Sequence, residues 1–268
     1  MTEVSVKESD DPAEIVEENE DWHDREAEIY DRIRSELWNF YEQRRITNDV
    51  AKIRDFSPGK HAVDIGSGTG NLVLKFAELG WRVEAVDVSE NMIEVMKAKV
   101  SSEEESRINF HHAPADDFLD NLRERPGTVC FSSVLHHLPN YYETLETAIE
   151  KLPPGGLVYI VHEPLPAKLE REESRLRYLD KLFTPRASFR KWQGPEKESE
   201  KVDYHIDRND GIELSELKEF FRDRGMTIVE ESKYTTWKSG VLSGFDDVLE
   251  LTERTDFKII VRKGTDHN

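Results

Sequence analysis

Residues 61–70 read His61-Ala62-Val63-Asp64-Ile65-Gly66-Ser67-Gly68-Thr69-Gly70: a short apolar run holding one acid, then glycines at every second position. The run predicts a strand over His61–Ile65. Behind the glycines, Leu72, Leu74, Phe76 and Leu79 ahead of Gly80 predict an amphipathic helix. A strand, a glycine turn and a helix N-terminus form the commonest cradle for a nucleotide-like cofactor. Each glycine has its own job there: Gly66 permits the tight turn, Gly68 lets the backbone approach a ligand, and Gly70 opens the helix.

Outward from this stretch, strand and helix signals alternate in the rhythm of right-handed βαβ units and a parallel sheet. Strands are predicted over Arg82–Val86, Ile108–His112, Val129–Leu135 and Leu157–Val161. Helices fall between them, one capped by Ser89, one near Asp116–Leu122 and one over Tyr141–Leu152. After Glu163 the rhythm breaks. Residues 165–210 hold one helical pattern (Leu169, Leu176, Leu179, Leu182, Phe183) and a Pro/Gly loop, more than a direct connection needs. An insertion at the carboxyl end of a strand lies beside the ligand crevice, so it is a candidate substrate lid. The rhythm resumes with a helix over Leu214–Arg224 and strands from Met226 and from Phe257, a final pair predicted antiparallel. The expected fold is α/β, a doubly wound seven-stranded mostly parallel sheet whose last strand is antiparallel.

Ahead of the sheet, Trp22, Ala27, Ile29, Tyr30, Ile33, Leu37, Phe40 and Tyr41 recur three or four apart, predicting a helical cap over residues 21–57. Residues 1–20, rich in Asp and Glu and poor in apolar side chains, are expected to form a flexible acidic tail. Residues 58–268 would form the main domain.

The 268 residues carry a formal net charge of -19, a repulsive field for phosphate backbones, so a small-molecule substrate is expected and nucleic acid is not. A single cysteine, Cys130, allows no disulfide within the chain. No apolar run approaches the ~20 residues of a membrane span, and no basic-then-apolar leader opens the sequence, so no membrane partner and a cytoplasmic location are expected.

The glycine spacing is G-x-G-x-G, whereas folds that seat a dinucleotide pyrophosphate usually show G-x-G-x-x-G. Asp87 ends the second strand about 20 residues past the glycines, where a carboxylate accepts from ribose hydroxyls. Taken with Val86-Asp87-Val88-Ser89, Ser133-Val134-Leu135-His136-His137-Leu138 and Leu152-Pro153-Pro154-Gly155-Gly156, the glycine stretch resembles a class I S-adenosylmethionine-dependent methyltransferase, closest to the small-molecule branch. The likeness covers residues 60–163 in order. It implies S-adenosyl-L-methionine as cofactor and methyl transfer to an O, N or C nucleophile. It also implies that Asp64, Gly66, Ser67, Gly68 and Gly70 contact the methionine end, Asp87 the ribose and Val88 the adenine. Ser132 and Ser133 would sit beside the methionine moiety. Ala27-Glu28-Ile29-Tyr30-Asp31 matches the segment that closes over the cofactor, which assigns Tyr30. Pro114 stands where this family usually has an acid, which shifts the expected adenine contact to Ala115 and Asp116.

For catalysis, His136 and His137 follow the fourth strand, where the crevice lies, and a histidine there can take a proton from an acceptor; both can equally be packing residues. His162 and Glu163 end the fifth strand, and strand alternation turns only one of them inward, with Glu163 the candidate substrate contact. The adjacent pairs His111-His112 and His136-His137 lack metal-ligand spacing, so no metal is expected. In the insertion, Phe189, Arg190, Lys191 and Trp192, with Tyr204 and His205 after them, either cover an acceptor or pack the insertion down. Two other functions stay open: a non-catalytic protein that binds the cofactor, and an NAD-dependent oxidoreductase. The loop spacing and the lack of an evident Tyr-x-x-x-Lys signature count against the latter.

Overall fold

The computed structural model describes residues 11–166 and 211–265. Its elements run α1 (Pro12–Glu26), α2 (Phe40–Phe56), β1 (His61–Ile65), α3 (Asn71–Glu78), β2 (Arg82–Asp87), α4 (Glu90–Lys97), β3 (Ile108–His112), α5 (Ala115–Asn121), β4 (Thr128–Ser132), α6 (Tyr141–Lys151), β5 (Leu157–Pro164), α7 (Leu214–Asp223), β6 (Met226–Tyr234), α8 (Gly240–Leu249) and β7 (Asp256–Lys263), with short helical turns between α1 and α2. The seven strands form one sheet in the order β3-β2-β1-β4-β5-β7-β6. Strands β1 to β5 pair parallel, and β7 runs antiparallel to both β5 and β6. The doubly wound sheet expected from the sequence is therefore present.

Both faces of the central strands are covered, which is why Val129-Cys130-Phe131 and Leu157–Val161 are continuous apolar runs. Val63, Ile65, Val129, Phe131, Val158 and Ile160 pack on one side against α5, α6 and α7. Ala62, Val83, Ala85, Cys130 and Tyr159 pack on the other against α2 and α3. Each such Val or Ile fully withdrawn from water contributes about 1.5–3 kcal/mol. Order reversal between β1 and β4 opens a crevice at the carboxyl ends of the strands, the place where open α/β sheets bind ligands.

Three segments differ from the sequence reading. Residues 12–20 belong to α1 rather than to a flexible tail: Asp11 caps the helix by accepting from Ala13 N (3.0 Å), Pro12 opens it, and Ile15, Asn19, Trp22 and Glu26 form its buried face. Helix α8 interrupts the final strand pair, where no helix was expected. Its inward side is small or polar (Gly240, Ser243, Asp246) while Val241, Phe245 and Val248 are exposed, the reverse of the usual amphipathic pattern. Gly240 allows the close approach, since a Cβ there would lie 2.7 Å from the Phe40 ring. The strand predicted over Val129–Leu135 ends at Ser132, and Leu135–His137 is a 3-10 turn. The insertion residues Phe189 to Trp192, Tyr204 and His205 lie outside the described residues, as does almost all of the candidate lid.

Candidate active site

The glycine turn is built by backbone geometry that side chains resist. Gly66, Gly68 and Gly70 all take positive φ (65°, 51° and 93°). At Gly66 a Cβ would lie 2.4 Å from Val134, so the turn packs directly on the loop after β4. At Gly68 a Cβ would meet nothing within 4 Å and would project into open space. Gly70 caps α3 and rests against Met96 of α4, away from the crevice.

Asp87 at the end of β2 ties this turn to the next helix. Its Oδ2 accepts from Gly68 N (2.7 Å) and its Oδ1 from Ser89 N (2.9 Å). Burial pushes its carboxyl above the usual range, opposed by the nearby His23 and by those two backbone donors. From the segment ahead of the sheet, Thr69 Oγ1 donates to Asp31 (2.5 Å), and Lys99 pairs with Asp31 and reaches Thr69 O (3.0 Å). Tyr30, beside Asp31, thereby stands over the turn with its hydroxyl pKa raised by burial.

A cavity opens here, at the ends of β1, β2 and β4 and under α1. Of the residues singled out in the sequence, Tyr30, Gly66, Gly68, Asp87, Val88, Ala115, Ser132, Ser133 and His137 line it. Asp64, Ser67, Gly70, Asp116, His136 and Glu163 do not. Asp64 lies just below the turn, 1% exposed, its carboxyl pushed well up by burial and by the charge of Asp87. Asp64 Oδ1 and Ser67 Oγ are buried without a hydrogen-bond partner among the described residues. Orphaned acceptors beneath a glycine turn, with open space over Gly68, fit the amino-acid end and ribose of S-adenosylmethionine.

Asp116 is exposed and accepts from Thr144 Oγ1 (2.6 Å) on α6, so it ties two helices together and does not line the cavity. Glu163, expected as a substrate contact, does not line the cavity. Its fully buried carboxylate accepts from Val134 N (2.7 Å), Leu135 N (2.9 Å) and His136 N (3.3 Å). A 3-10 turn starting inside the protein leaves exactly such N–H groups to satisfy, and β5 supplies the acceptor. The same carboxylate holds His136 Nδ1 at 2.8 Å, which keeps that imidazole buried and out of the cavity, while His137 reaches the lining. Alternation fails for His162 and Glu163 because a bulge separates Val161 from Glu163 and His162 adopts φ 59°. His162 is buried against Glu42 (Nε2 to Oε2 3.3 Å).

Sequence reasoning missed Val16, Asn19 and His23, which line the cavity from one face of α1. Their i, i+3, i+7 spacing was the available signal, hidden by the acidity of the segment.

Known proteins bear on this geometry. A family model described as a methyltransferase domain matches residues 30–231. The ubiquinone biosynthesis O-methyltransferase of Aromatoleum aromaticum is 30% identical over 101 residues, 38% of this chain and 43% of that protein, so the chain spans less than half the length of this relative. Among solved structures, magnesium protoporphyrin IX methyltransferase from Synechocystis PCC 6803 with bound SAH superposes with a TM-score of 0.56 at 17% identity, over 93% of this chain and 100% of that one. Plantazolicin methyltransferase BamL, in complex with a triazolic desmethylPZN analog and SAH, gives 0.58 at 12% identity over 95% and 100%. Since the matched model runs from Tyr30 through the glycine turn and Asp87 into β6, the chain belongs to the methyltransferase-domain family, on the class I S-adenosylmethionine-dependent fold.

Proposed function

We propose that the chain is an S-adenosylmethionine-dependent methyltransferase acting on a small molecule in the cytoplasm. The observation that carries this reading is Asp87. Each of its oxygens accepts one backbone N–H, from Gly68 and from Ser89, and a carboxylate has about four acceptor directions in all. About two remain, a match for two ribose hydroxyls at the cavity wall. The -19 charge disfavours a nucleic-acid acceptor.

Bound in the cavity, the cofactor supplies an electrophilic methyl group on a sulfonium. The chain's residues then bind and orient. Asp87 takes the ribose; the turn at Gly66 and Gly68 takes the methionine end, with Asp64 and Ser67 directly beneath it; Val88 and the Ala115 backbone border the adenine. Ser132 and Ser133 stand beside the methionine moiety. Tyr30 and α1 cover the site, excluding water, and holding a nucleophile in line with the methyl group supplies most of the acceleration. His137 lines the cavity where an acceptor proton can be taken, and His136 with Glu163 fixes the turn that carries it. Calorimetry with S-adenosylhomocysteine and with NAD tests this reading: binding of the former alone is expected, and binding of NAD alone overturns it.

A further inference from the structure

Helix α1 lies across the mouth of the cavity and is tied down at three strand exits. Asp24 Oδ1 accepts from Ser89 Oγ (2.6 Å) and Asn91 N (3.1 Å) after β2. Glu20 pairs with His112 (3.4 Å) at the end of β3. Asn19 Nδ2 donates to His137 O (3.4 Å) in the turn after β4. The helix is therefore a wall of the site.

Asn19 is 6% exposed and lines the cavity, and its Oδ1 has no hydrogen-bond partner among the described residues. The orientation of the amide follows from chemistry: only the NH2 end can face a carbonyl, so the oxygen is left for something else. Asn19 Oδ1 is the one cavity-lining side-chain atom, among the described residues, that is both buried and unpartnered.

Its surroundings limit what it can accept from. Val88, Pro114, Ala115 and Leu138 give the cavity apolar lining, and the His23 and His137 rings stand on the α1 side, 5.2 Å apart. Pro114 has no N–H, Ala113 N is already donated to Asp87 O (3.0 Å), and the Asp116 carboxylate is taken by Thr144 outside the cavity. Asp87, at the neighbouring strand end, fixes the ribose side. An apolar lining next to the proposed ribose site, with one buried acceptor, matches a purine carrying an amine.

We propose that Asn19 Oδ1 accepts a hydrogen bond from the exocyclic amine of the cofactor's adenine, making α1 the element that selects adenine. This inference rests on the cofactor assignment above. It adds a binding residue from outside the sheet.

The test is calorimetry on the full chain with two probes: S-adenosylhomocysteine, and its analogue in which hydrogen replaces the exocyclic amine. The wild type is expected to prefer S-adenosylhomocysteine by about tenfold, the scale of one hydrogen bond. Asn19→Leu and the smaller Asn19→Ala should each lose that preference and bind both probes alike. A merely structural role would weaken both probes equally and leave the preference standing. Retention of the preference in either folded variant, or its absence from the wild type, overturns the proposal. Failure of the wild type to bind S-adenosylhomocysteine at all would instead remove the cofactor assignment itself, and this inference with it.

Discussion

Replacing Asp87 by alanine tests the proposed ribose contact and the backbone contacts of this carboxylate separately, with a magnitude for each. On the ligand side, the proposed contact would cost two ribose hydroxyls a charged acceptor, at about 1.5–3 kcal/mol per bond, or roughly 3–6 kcal/mol together. S-adenosylhomocysteine affinity should fall by roughly 10²–10⁴. On the protein side, Gly68 N and Ser89 N lose the partners they hold at 2.7 and 2.9 Å. Part of that loss is offset, because burial already raises the Asp87 pKa and disfavours its charged form. A net cost of about 1–3 kcal/mol follows, and at about 2–4 °C per kcal/mol the ligand-free protein should melt roughly 2–12 °C lower. Calorimetry reads the first effect, and a thermal scan without ligand reads the second. Affinity within about threefold of wild type, less than one hydrogen bond, would refute the placement of the ribose.

Gly68→Val should weaken S-adenosylhomocysteine binding strongly while lowering the melting temperature modestly. Its Cβ enters open space, and the φ of 51° costs a branched residue about 1–3 kcal/mol. Gly66→Ala should do the reverse in a thermal scan, with the larger loss of stability, because its Cβ would lie 2.4 Å from Val134. Glu163→Gln removes one acceptor oxygen from a carboxylate that holds three backbone N–H groups and His136. A drop of roughly 2–5 kcal/mol in denaturant titrations is expected. The Asp64 carboxyl, raised by burial and by Asp87, carries a proton in the free protein below its raised pKa. The cofactor's ammonium, in the proposed orientation, would favour the charged form, so binding should release a proton and affinity should rise with pH until Asp64 ionises unaided. Calorimetry in buffers of different ionisation enthalpy measures this, and proton uptake on binding would contradict it.

The parallel sheet and the glycine turn were legible because their signals are local. A short, mostly apolar run ending at Gly66 marks β1, the Arg82–Val86 pattern after Gly80 marks β2, and Asp87 closes it at a fixed offset. Helix α1 reads as tail up to residue 20 because its buried face mixes Ile15 and Trp22 with Asn19 and Glu26; Asn19 buries against His137, far away in sequence, and Glu26 against His23 in its own last turn. Helix α8 was missed for the opposite reason: its apolar side faces out. Glu163 looked like a crevice residue by strand position. Its destination was set by unsatisfied N–H groups in the turn after β4, which no local pattern records. Asp116 was drawn to the adenine by proximity in sequence, and Thr144 decides where it goes.

The most direct test of the account is a crystal structure with S-adenosylhomocysteine bound. Both ribose hydroxyls are expected on Asp87 and the sulfur toward Ser132 and Ser133. A ligand bound outside this cavity, or inside it with the ribose turned away from Asp87, would contradict it.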